Sequence, residues 1–301
     1  MGTCTMNVIN SEMAYLGYLG SEAYGLTWKV RGFCKDKSNV KLFDSKNVYG
    51  DMTGSKIHHN FFGMYSYGLQ GGDLSNNEMY DNEWYGFDPH DDSDNLTITN
   101  NDVHGNGKHG IIASKRCDGV TITGNTVSDG GSEAAGIMLH RSSNNFVVKD
   151  NTISNMQDAG IAIFESFDGT ISNNVIKNVK YGIRLSMGSA DVTVSSNSFD
   201  SCSDYGFFTY QGTDPPEVND GRPSAITFSD NTISATSVGF KFKNSDGLII
   251  KDNEFTGTKT MELESAKTLT MTGNTIPSGV DFEYSSGSCF KATDISNAPM
   301  C

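Results

Sequence analysis

Apolar and polar positions alternate in this chain only over short runs, and the runs recur. Val120-Thr-Ile122, Val192-Thr-Val194, Ile226-Thr-Phe228 and Leu248-Ile-Ile250 are separated by Asn, Gly, Asp and Ser. This predicts strands punctuated by turns, without a 3.6-residue helical stripe. Asn-x-apolar recurs at Asn77, Asn101, Asn125, Asn151, Asn174, Asn197, Asn231, Asn253 and Asn274. Gly followed by a large apolar residue keeps step with it, at Gly68, Gly86, Gly110, Gly136, Gly160, Gly182, Gly206 and Gly239. A period in the low twenties is one turn of a solenoid. The fold class expected is all-β, a right-handed parallel β-helix of about ten coils, with one domain over residues 1–301. The long Gly206–Gly239 interval holds a Pro/Asp/Gly-rich run, 211–222, which reads as an inserted loop. The recurrent asparagines read as a stacked structural ladder, since Asn tolerates left-handed turns and its amide can bond the copies above and below.

The strand after each Gly can be phased. Positions one and three past it are apolar or small (Phe87/Pro89, Ile111/Ala113, Ile137/Leu139, Ile161/Ile163), so they point inward. Positions two and four then point outward: Gln70/Gly72, Asp88/His90, Ile112/Ser114, Met138/His140, Ala162/Phe164, Arg184/Ser186, Phe208/Tyr210 and Lys241/Lys243. Lys115, Arg116 and Arg141 follow the ends of neighbouring strands. A face of polar, cationic and aromatic side chains suits an extended polymer whose sugar rings stack and whose carboxylates pair with cations. Lys241 and Lys243 read more simply as a solvated face.

The most reactive stretch is Tyr85-Gly86-Phe87-Asp88-Pro89-His90-Asp91-Asp92, where titratable groups replace the filler of other repeats. A polyuronate would use them well. Its C5 hydrogen is weakly acidic until a cation neutralises the adjacent carboxylate. His90 is then the candidate base and Tyr85 a proton-exchanging partner on the opposite side of the ring. Asp88 orients His90 or bonds substrate, and Lys115 or Arg116 supplies the cation.

The net charge of −14 argues against nucleic acid as a partner. No stretch is apolar enough to span a membrane as a helix. Six cysteines lack C-x-x-C spacing, so a zinc site is not expected. Cys4 with Cys34 and Cys289 with Cys301 are candidate disulfides at the solenoid ends, with Cys117 and Cys202 as mid-solenoid thiols. The even count and the sequon Asn95-Leu96-Thr97 point to a secreted, cell-wall location, although no signal peptide is visible at Met1–Cys4.

The motif from Tyr85 to Asp91 resembles the signature of mannuronan C5-epimerases, which turn β-D-mannuronate into α-L-guluronate within alginate. His109-Gly-Ile-Ile-Ala-Ser114-Lys115-Arg116 and His140-Arg141-Ser-Ser-Asn-Asn resemble the following coils of periplasmic bacterial and brown-algal members, over residues 14–186. The resemblance implies His90 as catalytic base, Tyr85 and Asp88 as catalytic partners, and a basic residue after the His-Gly-Ile-Ile strand as carboxylate neutraliser. Lys115 aligns with that residue, an arginine in periplasmic relatives, and Arg116 lies beside it. Gln70, Asp91, Arg116, His140, Arg141 and Arg184 are the expected substrate-binding residues. Secreted bacterial relatives carry a lysine in the preceding coil, which residues 62–70 lack, and calcium-binding nonapeptide modules, which are absent here. No cofactor is expected to be required; no motif indicates calcium. The expected partner is alginate or poly-mannuronate, taken up by a monomer. The alternatives are a polyuronate lyase, a non-catalytic polysaccharide-binding β-helix and, more distantly, a glycoside hydrolase, which would need two carboxylates across the scissile bond.

Overall fold

A computed structural model describes residues 4–20, 23–30, 47–285 and 287–293. The described elements are all strands, paired in parallel and stacked as the coils of a β-helix of about ten turns. Most coils contribute three short strands, the second and third merging into one in Val175–Ser186 and Ser198–Tyr210. In one coil the three are Thr97–Thr99, Asp102–His104 and Ile111–Ser114. The first joins a 12-stranded sheet, and the other two belong to a 19-stranded sheet that wraps two sides of the solenoid.

The expected inward phasing holds. Phe87, Ile111, Ile137, Ile161, Ile183, Phe207 and Phe240 stack in one column, all fully buried. The second strand of each coil adds Met79, Val103, Val127, Ile153 and Ile176, and the 12-stranded sheet adds Ile98, Ile122 and Val148. One apolar core therefore runs the length of the axis.

Turns between strands are secured by amide ladders. Asn101 is buried; its backbone N–H and its side-chain amide both donate to Asn125 Oδ1 (2.9 Å each), and the amide also donates to Leu74 O at 2.8 Å. The pattern repeats from Asn77 to Asn274. A second ladder of Asn60, Asn82 and Asn106, unanticipated from the repeat, braces the coils around the reactive motif. Each bond replaces water at a buried turn amide that would otherwise go unsatisfied.

The glycine column marks the tightest approach between coils. A Cβ on Gly86 would lie 2.5 Å from Gly110 O, and one on Gly63 would lie 2.5 Å from Gly86 O. Gly63, not Gly68, is thus the glycine of the coil before the motif. Strand Phe62–Tyr67 confirms this frame: Met64 pairs with Phe87, Tyr65 with Asp88 and Tyr67 with His90. Gly63 precedes Gly86 by 23 residues, as the repeat demands, whereas Gly68 precedes it by only 18. Gln70 consequently leaves the predicted outward column and bridges Asp94 on the next turn.

The outward positions face away from the core, as expected, and several of them are covered: Asp88, Ile112, Ser114, Met138, Ala162 and Ser186 are buried. Ile112, Met138 and Ala162 form a second apolar layer with Ala135 and Ala159, covered by Tyr85, Phe164 and Tyr181. This face is therefore the floor of a groove walled by aromatic side chains.

At the ends, Cys4 is an exposed free thiol rather than the expected disulfide partner, and Cys34 lies outside the described residues. Cys289 is disulfide-bonded; Cys301 lies outside the described residues. Cys117 and Cys202 are buried thiols, as expected.

Candidate active site

After three successive strands of the groove floor, Phe87–His90, Ile111–Ser114 and Ile137–His140, the chain turns through two left-handed residues. These are Asp91 and Asp92 (φ 35° and 57°), Lys115 and Arg116 (61° and 60°), and Arg141 and Ser142 (50° and 57°). Such geometry costs a non-glycine residue roughly 1–2 kcal/mol. Interstrand bonds hold it: Asp91 N–H donates to Ser114 O (2.9 Å), Lys115 N–H to His140 O (2.7 Å) and Arg141 N–H to Phe164 O (2.8 Å). Asp91, Lys115 and Arg141 therefore occupy one column beside the groove, at the coil spacing of about 4.8 Å. The strand-end column next to it reads His90, Ser114, His140, Phe164.

His90 is gripped by its neighbour. Its Nδ1 lies 2.6 Å from Asp91 Oδ2, which leaves Nε2 as the free ring nitrogen. Burial raises the Asp91 carboxyl, but the His90 bond and the Lys115 and Arg116 charges outweigh it and hold the group below the usual carboxylate range. Asp91, not Asp88, is thus the residue that orients the imidazole. It does so as an adjacent residue across the strand end, while Asp88 is separated from His90 by the inward-facing Pro89.

Asp88 has a different environment. It is 2% exposed, and its Oδ1 has no hydrogen-bond partner. Burial and then the Asp91 charge push its pKa well up, against a smaller opposing pull from Lys115. It therefore favours the neutral acid, with an O–H to donate. Tyr65, its register partner, is 3% exposed, with its ring 5.6 Å from that of His90. Burial and the Asp88 and Asp91 charges raise its pKa. Tyr85 is half-buried and pushed up to about 12 by burial and Asp88, so it retains its proton at neutral pH. Its ring stacks parallel to His109 at 5.4 Å and packs against Phe62 and Trp84. With Tyr24, Phe61, Phe62 and Tyr65 it forms an aromatic wall at one end of the site.

The cations divide into engaged and open. Arg116 forks onto Asp92 (Nε–Oδ1 2.9 Å, Nη2–Oδ2 3.0 Å) and reaches Asp91 Oδ1 at 3.0 Å. Lys115 is exposed and, among the described residues, forms no ion pair within 4.0 Å, though its charge is felt by Asp88, Asp91 and His140. Arg141 contacts Glu165, Glu217 and Asp214, at 3.1, 3.2 and 3.7 Å. Arg184 pairs with Asp158 at 2.8 Å and donates to the Tyr210 hydroxyl at 3.3 Å. Gln70 donates to Asp92 O (2.7 Å) and Asp94, bracing the turn.

Two further imidazoles lie beside the cluster. Burial, followed by Arg184, His140 and Lys108, lowers His109 to about 3, and its Nδ1 accepts the Ala135 N–H at 2.9 Å. Burial, followed by Arg141, His90 and Lys115, lowers His140 to about 4; its Nδ1 lies 2.9 Å from Ser114 Oγ.

The predicted residues Tyr85, Asp88, His90, Asp91, Lys115 and Arg116 thus converge on two adjacent coils. His140 joins them, Arg141 and Arg184 lie farther along with their charges paired, and Gln70 stands on the neighbouring turn. Tyr65 and His109 were missed. The 23-residue spacing to Gly63 would have revealed Tyr65; His109 adjoins a repeat glycine, as Tyr85 does.

A family model described as "Right handed beta helix region" matches residues 33–134 and 90–220. A mannuronan C5-epimerase of Pseudomonas putida is 32% identical over 179 residues, which is 59% of this chain and 34% of that protein. The chain thus spans about a third of the length of that curated relative. Among solved structures, the periplasmic alginate epimerase AlgG superposes with a TM-score of 0.76 at 24% identity, covering 84% of this chain and 60% of that one. The A-module of the Azotobacter vinelandii mannuronan C-5 epimerase AlgE6 gives 0.64 at 15% identity, covering 81% and 65%. At these identities the two structures speak for the fold alone.

Proposed function

We propose that this chain, which belongs to the right-handed β-helix family, inverts C5 of mannuronate residues within a poly-mannuronate chain laid along the groove. The observation that carries the reading is the His90–Asp91 pair set beside an open Lys115 and a buried Asp88 whose Oδ1 has no partner. The similarity to a mannuronan C5-epimerase over 179 residues supports it.

The steps follow from the side chains. The Lys115 ammonium meets the uronate carboxylate and offsets its charge, while the Asp88 O–H donates to it. Both contacts strengthen as negative charge gathers on those oxygens, so they favour the transition state over bound substrate. His90 Nε2 takes the C5 proton, and the C–H electron pair moves into the carboxylate to give an enolate-like dianion. Asp91 supports the imidazolium that forms. The Tyr85 O–H delivers a proton to the opposite face of C5, restoring the carboxylate with inverted configuration. The proton on His90 returns to the tyrosinate through solvent, which closes the cycle.

Proton NMR of poly-mannuronate incubated with the protein in heavy water tests this. The expected result is guluronate signal with deuterium at C5. Unsaturated ends absorbing near 230 nm would identify a lyase instead, and an unchanged polymer would refute both. A location outside the cytoplasm, where such a polymer would be met, is part of the proposal.

A further inference from the structure

The segment 211–222 does not stand off the solenoid as a free loop. It leaves the strand Ser198–Tyr210 and folds back across two coils, since Tyr210 registers with Ser186 and Ser186 with Phe164. There it meets Glu165, which is fully buried and follows Phe164 at the turn. Glu165 Oε1 accepts the backbone N–H groups of Glu217 and Val218, and Oε2 pairs with Arg141 Nη1. The base of the strap is tied separately: Asn219 Nδ2 donates to Gly188 O (2.7 Å) and Gln211 Nε2 to Asp220 O (2.8 Å). Its tip packs little apolar surface, with Val218 59% exposed.

Arg141 sits one coil beyond Lys115 in the same column, its guanidinium 5.2 Å over the Phe164 ring. Glu165 Oε2 (3.1 Å) and the strap's own Glu217 Oε1 (3.2 Å) share its Nη1, and the strap's Asp214 lies 3.7 Å from Nη2. The Glu217 and Asp214 side chains are 63% and 59% exposed, so each contact is weak. A carboxylate arriving from solution can replace them without disturbing the buried Glu165 or its backbone bonds.

We infer that Arg141 is a second carboxylate subsite for the polyuronate, and that the strap fills it in the free protein with Glu217 and Asp214. The inference rests on the proposed polyuronate substrate. It identifies a place where the chain's own acid groups imitate the substrate and weaken its binding.

The test compares the double variant Asp214→Asn/Glu217→Gln with the wild type on mannuronate hexamer. Removing two exposed competing contacts should lower KM by about three- to tenfold and leave kcat within about twofold. Adding Arg141→Gln to that variant should erase the gain. Asp168→Asn/Asp191→Asn, the same charge change elsewhere on the surface, should not reproduce it. The Kd of the hexamer for each variant in a His90→Ala background gives the same comparison without turnover. An unchanged or raised KM in the strap variant, or an equal fall in the control, overturns the inference while the epimerase reading stands. Absence of both turnover and hexamer binding in the wild type removes both.

Discussion

The two ends of the groove floor share one backbone geometry and differ in how their charges are matched. At the distal end each outward cation has a carboxylate: Arg184 with Asp158, Lys241 with Glu262 and Lys243 with Glu264. Around His90 the balance is incomplete. Asp88 carries a buried carboxyl oxygen without a partner and Lys115 stands without an ion pair among the described residues, whereas the unpartnered, buried Nε of Arg184 belongs to a guanidinium whose charge Asp158 already matches. A buried polar atom left unsatisfied costs about 1–3 kcal/mol, so a fold tolerates it where something else repays it. The comparison separates charges that build the solenoid from charges held open for a ligand.

The largest effect that tests this contrast is on turnover. Lys115→Ala should lower kcat on poly-mannuronate by about 10²–10³-fold, the range for losing one electrostatic stabiliser of developing charge. Lys241→Ala, on the same face but paired with Glu262 at 2.8 Å, should stay within about twofold. Equal losses would erase the distinction between the two ends.

Asp91→Asn keeps the bulk beside His90 and removes the charge that supports its protonated form. Turnover should fall by about 10–100-fold with KM little changed, since the interaction matters chiefly once the proton has moved. Asp88→Asn should produce less than tenfold, because a carboxamide still donates a hydrogen bond. If the orientation of His90 came from Asp88, the order of these two losses would reverse.

A smaller effect concerns stability. The folded-state pKa of Asp88 lies above its ordinary 3.8, so the native state holds the proton more tightly than the unfolded chain. Stability from that group is present at low pH and is lost as pH rises through the folded value. Asp88→Asn should therefore raise Tm relative to the wild type at pH 8, by a few degrees, with the gain vanishing toward pH 4. His140 has the opposite sign. Its folded pKa falls from 6.5 to about 4, so its contribution is complete above pH 6.5 and declines as pH drops toward 4. His140→Asn should flatten that acid limb in thermal denaturation measured from pH 7 to pH 4.

Much of the molecule was legible in the chain. The inward column from Phe87 to Phe240, the asparagine ladder and the placement of Asp88 and His90 on one face all follow from strand period and repeat length. Both Gly63-Met64 and Gly68-Leu69 satisfy the Gly-apolar pattern, and repeat length together with interstrand register selects Gly63; the Gly68 frame misplaces Gln70 and hides Tyr65. Alternation reports which way the outward side chains point, not what lies over them, so the burial of Asp88, Ile112 and Met138 is not legible in it.

The sequence alone determined the solenoid and the cluster, because both depend on spacing along one strand or between identical repeats. Tertiary structure decided the partners: Asp91 on His90, Arg116 across Asp91 and Asp92, and a strap returning over two coils to Glu165. The physical reason is that pairing between side chains depends on the offset of turns in neighbouring coils and on the reach of an inserted segment. Neither leaves a periodic trace in the order of residues.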